Sequence, residues 1–117
     1  MAQTNFKIDT EMVSDKSAVV VKVIGDIDAH TTKTLQASIG ELFQAKNYRV
    51  VLDLSSVGYM SSAGASLLIV VQQEAQGNSG NLVLCGMKPA VKHVFELLGL
   101  TPLFKITADR KAALAAI

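Results

Sequence analysis

RVVLDLSSVGYMSSAGASLLIVVQQEAQG, residues 49–77, is the stretch that decides the fold. Residues 49–54 form a short β-branched run closed by Ser55 and Ser56. That is the pattern of a strand buried on both faces of a parallel or mixed sheet, and it belongs at the sheet centre. The run Leu67-Leu-Ile-Val-Val71 is strand-like by propensity alone. Length decides against a strand. Residues 63–76 open on small side chains and end in Gln-Gln-Glu-Ala-Gln, which predicts a helix starting near Ser62 with Gly77 as its left-handed stop.

Working outward, Ala18 to Ile24 is a β-branched strand closed by Gly25, paired with a weaker strand over residues 5–13. Leu35, Ile39, Leu42 and Phe43 share one helical face, which predicts a helix over 32–46 capped by the hydroxyl of Thr31 or Thr32. Downstream, residues 81–85 read as a strand bounded by Gly80 and Gly86. Pro89 opens a helix whose face carries Val91, Val94, Phe95 and Leu98, with Gly99 just past its end and Leu100 behind it. A short strand over 103–106 and an alanine-rich helix over 109–117 complete the chain. The order β-β-α-β-α-β-α-β-α predicts one α/β domain with a mixed sheet and right-handed crossovers.

At 117 residues there is room for one domain, since about 100–150 residues support a single core. Half the residues are hydrophobic and 18% are charged, the composition of a folded chain. Eleven Lys and Arg against ten Asp and Glu give a net charge of +1, and the basic residues are scattered singly. No footprint for nucleic acid is present. No apolar run reaches membrane-spanning length, and the N-terminus lacks the basic-then-apolar layout of a signal peptide, so a cytoplasmic protein without membrane insertion is expected. The lone Cys85 reads as a small buried hydrophobe.

Enzyme signatures are missing: there is no phosphate loop, dinucleotide fingerprint, HExxH or GxSxG. His30 and His93 are the only histidines, and nothing in the spacing ties either of them, with Asp26, Asp28 or Asp53, to Ser62 as a triad. The same residues match no familiar metal-ligand spacing, so no catalytic residue, metal or cofactor is expected.

Two loops stand out. In Val57-Gly-Tyr-Met-Ser-Ser-Ala-Gly-Ala65, Ser62 is expected to cap the helix, while Ala63 and Gly64 permit close packing. Those roles alone would account for the segment. A phosphate on Ser62 would add about −1.5 to −2 charges beside unpaired first-turn amides, which the fold would tolerate and a docked partner would not. The acidic loop Gly25-Asp-Ile-Asp-Ala-His-Thr31 reads either as a turn with a helix cap or as a binding edge.

Together these segments resemble the STAS-domain anti-sigma factor antagonists. Residues 25–31 are similar to the family's G-[ED]-[LI]-D-x-x-[TS] loop, residues 51–60 to its central strand and turn, and Ser61-Ser-Ala-Gly64 to its [DS]-S-[SA]-G phosphorylation motif. Residues 80–86 and 89–100 resemble its fourth strand and third helix. The resemblance spans nearly the whole chain and implies a single STAS domain over 1–117, with a four- or five-stranded sheet flanked by about four helices. It implies that Ser62 is phosphorylated by a cognate anti-sigma factor serine kinase, with Ser61 a secondary candidate, and that Asp26, Asp28, Ser61, Ser62 and Gly64 form the binding face. The unphosphorylated form would bind the kinase and release a sigma factor. Phosphorylation would end binding, and a serine phosphatase of the metal-dependent class would restore it. The alternative within the same resemblance is a regulatory subunit of a transporter or of a kinase pathway unconnected with sigma factors. Two departures stand out: Ser61 occupies a position that is Asp in many members, and Ala65 and Ser66 replace larger residues after the motif.

Overall fold

The computed structural model describes residues 6–117. Its five strands are β1 (Lys7–Val13), β2 (Ala18–Ile24), β3 (Arg49–Ser56), β4 (Asn81–Cys85) and β5 (Lys105–Thr107). They lie side by side in chain order in one sheet. β1 is antiparallel to β2 and every other neighbouring pair is parallel, so the sheet is mixed, with β3 at its centre as the buried run predicts. The expected start of the first strand at residue 5 lies outside the described residues.

Four helices complete the fold: α1 (Thr32–Gln44), α2 (Ser62–Gly77), α3 (Pro89–Leu97) and α4 (Arg110–Ala116). Side chains alternate along a strand, and here both faces are covered. Val19, Val21 and Val23 of β2, Val50, Leu52 and Leu54 of β3 and Leu82 and Leu84 of β4 share one core with α1, α2 and α3. On the opposite face Val20, Val51, Val83 and Cys85 pack under Ala113 and Leu114 of α4. Burial there, reinforced by the charge of Asp53, raises the Cys85 thiol to about 11 and leaves it a hydrophobe in practice. Asp53 itself is buried on this face. Desolvation pushes its carboxyl up, but hydrogen bonds from Ser55 and Arg110 outweigh that and hold it below the ordinary value. The Arg110 guanidinium, 3.0 Å from Asp53 and 3.3 Å from Glu11, ties α4 to the sheet.

The structure corrects several expected boundaries. The predicted 3.6-residue periodicity carries α1 only to Gln44, and Lys46 has already turned left-handed. Gly77 does not stop α2: it is the last helical residue, and the left-handed turn falls at Ser79. Leu103 belongs to a 3-10 turn over Thr101–Leu103, and the last strand begins two residues later, at Lys105. Asp109 lies outside α4 and caps it, its carboxylate accepting the Ala112 N–H at 2.8 Å. Val91 and Phe95 are buried on the inner face of α3, but Leu98, beyond the last helical turn, is exposed. Gly99 does end α3 as expected: with φ +68° it lets the Leu100 N–H reach the Phe95 carbonyl while Leu100 folds back into the core.

Candidate functional site

Beyond the C-terminal ends of β2 and β3 the two loops of interest run side by side. The Gly25 N–H donates to the Ser56 carbonyl (3.0 Å), the Ile27 N–H to Tyr59 (2.9 Å) and the Ser61 N–H back to Ile27 (2.8 Å). Ile27 and Met60 thus form one more parallel bridge, and the sheet ladder is prolonged into the site. Gly25, with φ +106°, makes the turn that starts this arrangement. Ile27 and Met60 are fully buried. The first turn of α2 rests on them so closely that a Cβ on Gly64 would lie 2.6 Å from Ile27 Cγ2 and 3.0 Å from Met60 Cγ. Gly64 is therefore buried, and it shapes the surface by setting how near α2 approaches the acidic loop.

The two serines have different duties, and not in the expected order. Ser61, in extended conformation, is the N-cap of α2, its Oγ accepting the Gly64 N–H at 3.3 Å. Ser62 is the first helical residue, exposed, with no hydrogen bond to its side chain among the described residues. The reason is tertiary: the Ser61 N–H is held by Ile27, which keeps Ser61 in line with the loop ladder and starts the helix one residue later. Of the first-turn amides, those of Ser62 and Ala63 have no partner among the described residues.

The acidic loop corrects a second expectation. Neither Thr31 nor Thr32 caps α1 as a conventional hydroxyl cap. Asp28 instead closes the turn that leads into α1, its Oδ1 accepting the N–H groups of His30 and Thr31, both at 2.9 Å. Thr31 Oγ1 reciprocates by accepting the Asp28 N–H at 2.9 Å, the pairing pattern of a capping box, and donates its own proton to the Asp26 carbonyl at 2.8 Å. The Thr31 N–H, against a smaller cost of desolvation, holds the Asp28 carboxyl below its ordinary value. Asp28 is thus engaged internally, whereas Asp26 is exposed, its carboxylate over Gly58, where a Cβ would sit 3.4 Å away.

Asp26, Ser62, Ala63 and the half-exposed ring of Tyr59 (50% accessible) are consequently among the side chains that this part of the surface presents, with Ala29 and His30 exposed on the same acidic loop. Sequence reasoning passed over Tyr59 and the buried pair Ile27 and Met60. An aromatic residue in a polar loop and an isoleucine between two aspartates were the available signals. Among the described residues no hydrogen bond joins Ser62 to His30 or His93, and no three His, Cys, Asp or Glu side chains come together as a metal site. Among them, too, no helix is long and apolar enough to cross a membrane.

Fold and site together define a small α/β domain that presents a surface built from two laced loops and a helix N-terminus. The STAS domain profile matches residues 9–113, and the chain belongs to the STAS domain family. It is 36% identical over 92 residues, 79% of each chain, to BtrV of Bordetella bronchiseptica, named as a candidate anti-sigma factor antagonist. It is 26% identical over 103 residues, 87% of each chain, to the anti-sigma F factor antagonist of Lysinibacillus sphaericus. The crystal structure of an anti-sigma factor antagonist from Mycobacterium paratuberculosis superposes with a TM-score of 0.88 at 26% identity, covering 99% of this chain and 97% of the other.

Proposed function

We propose that this protein is an anti-sigma factor antagonist, a non-catalytic cytoplasmic switch that binds an anti-sigma factor serine kinase through the surface around Asp26, Tyr59 and Ser62. Phosphorylation of Ser62 ends that binding, and a serine phosphatase of the metal-dependent class restores it. The observation that carries the reading is the division of labour between the serines. Ser61 Oγ is occupied as a cap and half-buried, whereas the Ser62 hydroxyl is exposed on the first turn and free for a kinase. Family membership and relatives named as antagonists support the same assignment.

The physical basis of the switch is local. A phosphate on Ser62 carries about −1.5 to −2 charges and sits at the positive end of α2, next to the amides of Ser62 and Ala63, so the fold needs no rearrangement to hold it. For a partner seated on the same face, that charge must be desolvated or repelled beside Asp26. The test is calorimetric titration of the cognate kinase with wild type, Ser62→Ala and Ser62→Asp. Ser62→Ala should bind and stay bound in the presence of ATP. Ser62→Asp should lose about 1–3 kcal/mol, a fall of roughly 5- to 150-fold in affinity. Undiminished binding by Ser62→Asp, with a natively folded protein, would remove the switch from this surface.

A further inference from the structure

At the opposite end of the sheet from Ser62 lies a cleft of about 440 Å³, walled by three loops: the β1–β2 turn, the α1–β3 loop and the α2–β4 loop. Each wall contains one non-glycine residue in the left-handed conformation, Ser17 (φ 51°), Lys46 (φ 69°) and Ser79 (φ 65°), and these are the only three among the described residues. Two of them sit where glycine is the usual choice. In the turn that ends α1, the Asn47 N–H donates to Leu42 and the Lys46 N–H to Phe43; in the turn that ends α2, the Gly80 N–H donates to Ala75 and the Ser79 N–H to Gln76. The same bond pattern closes α3, where the left-handed position is Gly99. Lys46 and Ser79 therefore hold side chains where the backbone alone would favour none, and both residues line the cleft.

The remaining lining explains what such side chains are for. Arg49 is fixed by two hydrogen bonds from its guanidinium to the Lys16 carbonyl, at 3.0 and 3.3 Å, and its other N–H groups have no partner among the described residues. Neither Lys46 nor Arg49 forms an ion pair among the described residues, and no carboxylate lines the cleft. The floor is rigid: a Cβ on Gly80 would overlap the Tyr48 carbonyl, so the α2–β4 loop is pressed onto the α1–β3 loop, and the Tyr48 ring packs on Phe43 at 5.0 Å. Exposed Met12 and the partly buried ring of Tyr48 supply apolar surface beside the cations. A preformed concavity of several hundred Å³ with an apolar wall and a few fixed polar groups is the usual form of a small-molecule site.

We infer that this cleft binds a small organic anion, a phosphate monoester with an apolar body, whose charge is met by Lys46 and Arg49 and whose oxygens are met by the hydroxyls of Ser17 and Ser79. The site is independent of the Ser62 surface, at the other end of α2.

Titration of the isotope-labelled full chain with phenyl phosphate, followed by amide NMR shifts, tests this, with inorganic phosphate and phenol as separate arms. Phenyl phosphate should give saturable shifts centred on Ser17, Lys46, Asn47 and Ser79 below about 10 mM, at least tenfold tighter than either half-ligand. Lys46→Gly keeps the left-handed turn, so the protein should remain folded with an unchanged or raised Tm, while affinity falls at least tenfold; Ser79→Gly should behave likewise with a smaller loss. Three results would overturn the inference: no saturable shift at the cleft, equal affinity for inorganic phosphate or phenol alone, or a Lys46→Gly variant that loses stability but binds as tightly as wild type. The last would mean that Lys46 serves only the end of α1.

Discussion

Replacing Gly64 by Ala should destabilise this protein, although in an open helix the same change stabilises. The helix-propensity gain is about 1 kcal/mol. Against it, the new methyl would lie 2.6 Å from Ile27 Cγ2 and 3.0 Å from Met60 Cγ, both belonging to fully buried side chains that cannot swing aside. Buried carbons prefer about 3.5–4.0 Å, so the first turn of α2 must lift by about 1 Å or Ile27 must leave its rotamer. Overpacking of this kind costs about 1–3 kcal/mol, which leaves a net loss of up to about 2 kcal/mol. For a small domain that is a drop of several degrees in Tm, at about 4 °C per kcal/mol. The strain falls on the Ser61 N–H bond to Ile27, so hydrogen exchange at Ser61 should accelerate more than the global loss explains. A double-variant cycle isolates the contact. Ile27→Ala alone should cost about 2–5 kcal/mol by leaving a cavity. The methyl added at position 64 partly fills that cavity, so the double variant should be at least about 1 kcal/mol more stable than the sum of the singles. A Gly64→Ala protein stabilised by the full helix-propensity gain, with additive behaviour in the cycle, would refute the idea that Gly64 sets the spacing of the two loops.

Two further outcomes follow from the caps and the buried carboxylate. Only Ser61 caps α2. In urea unfolding, Ser61→Ala should therefore cost about 0.5–2 kcal/mol, whereas Ser62→Ala should stay within about 0.5 kcal/mol of wild type. Asp28 and Asp53 are both held below the ordinary carboxylate value in the folded protein. Their contribution is fully present above the unfolded value near ~4 and is lost as pH falls through the folded values. Stability measured from pH 6 down to pH 2 should accordingly fall below about pH 4, and Asp53→Asn, less stable at neutral pH, should show a shallower acid slope. An identical slope would mean that the Arg110 and Ser55 bonds do not favour the ionised form.

Much of the fold was legible because its signals are local. The strand Asn81–Cys85 has glycines at both ends, Pro89 and Gly99 bracket α3, and length alone settles α2 against a strand. The readings that missed were decided by tertiary contacts. Adjacent serines are equivalent as caps in sequence, and what chooses Ser61 is its amide bond to Ile27, far back in the chain. Ser79 takes the left-handed turn instead of Gly77 because Gly80 must press against Tyr48. The reciprocal Asp28 and Thr31 pair was visible as spacing, but two neighbouring threonine hydroxyls offered a simpler cap. For Tyr59 the signal is a ring in a polar loop, which marks the residue without deciding whether the ring is exposed or buried.

The central question is which serine is the switch. The most direct measurement is mass spectrometry of the protein after incubation with its cognate kinase and ATP, with Ser61→Ala and Ser62→Ala variants alongside and folding checked by circular dichroism. The exposed Ser62 hydroxyl should carry a single phosphate, retained in Ser61→Ala and absent in Ser62→Ala. Phosphate retained in Ser62→Ala and lost only in Ser61→Ala would contradict it.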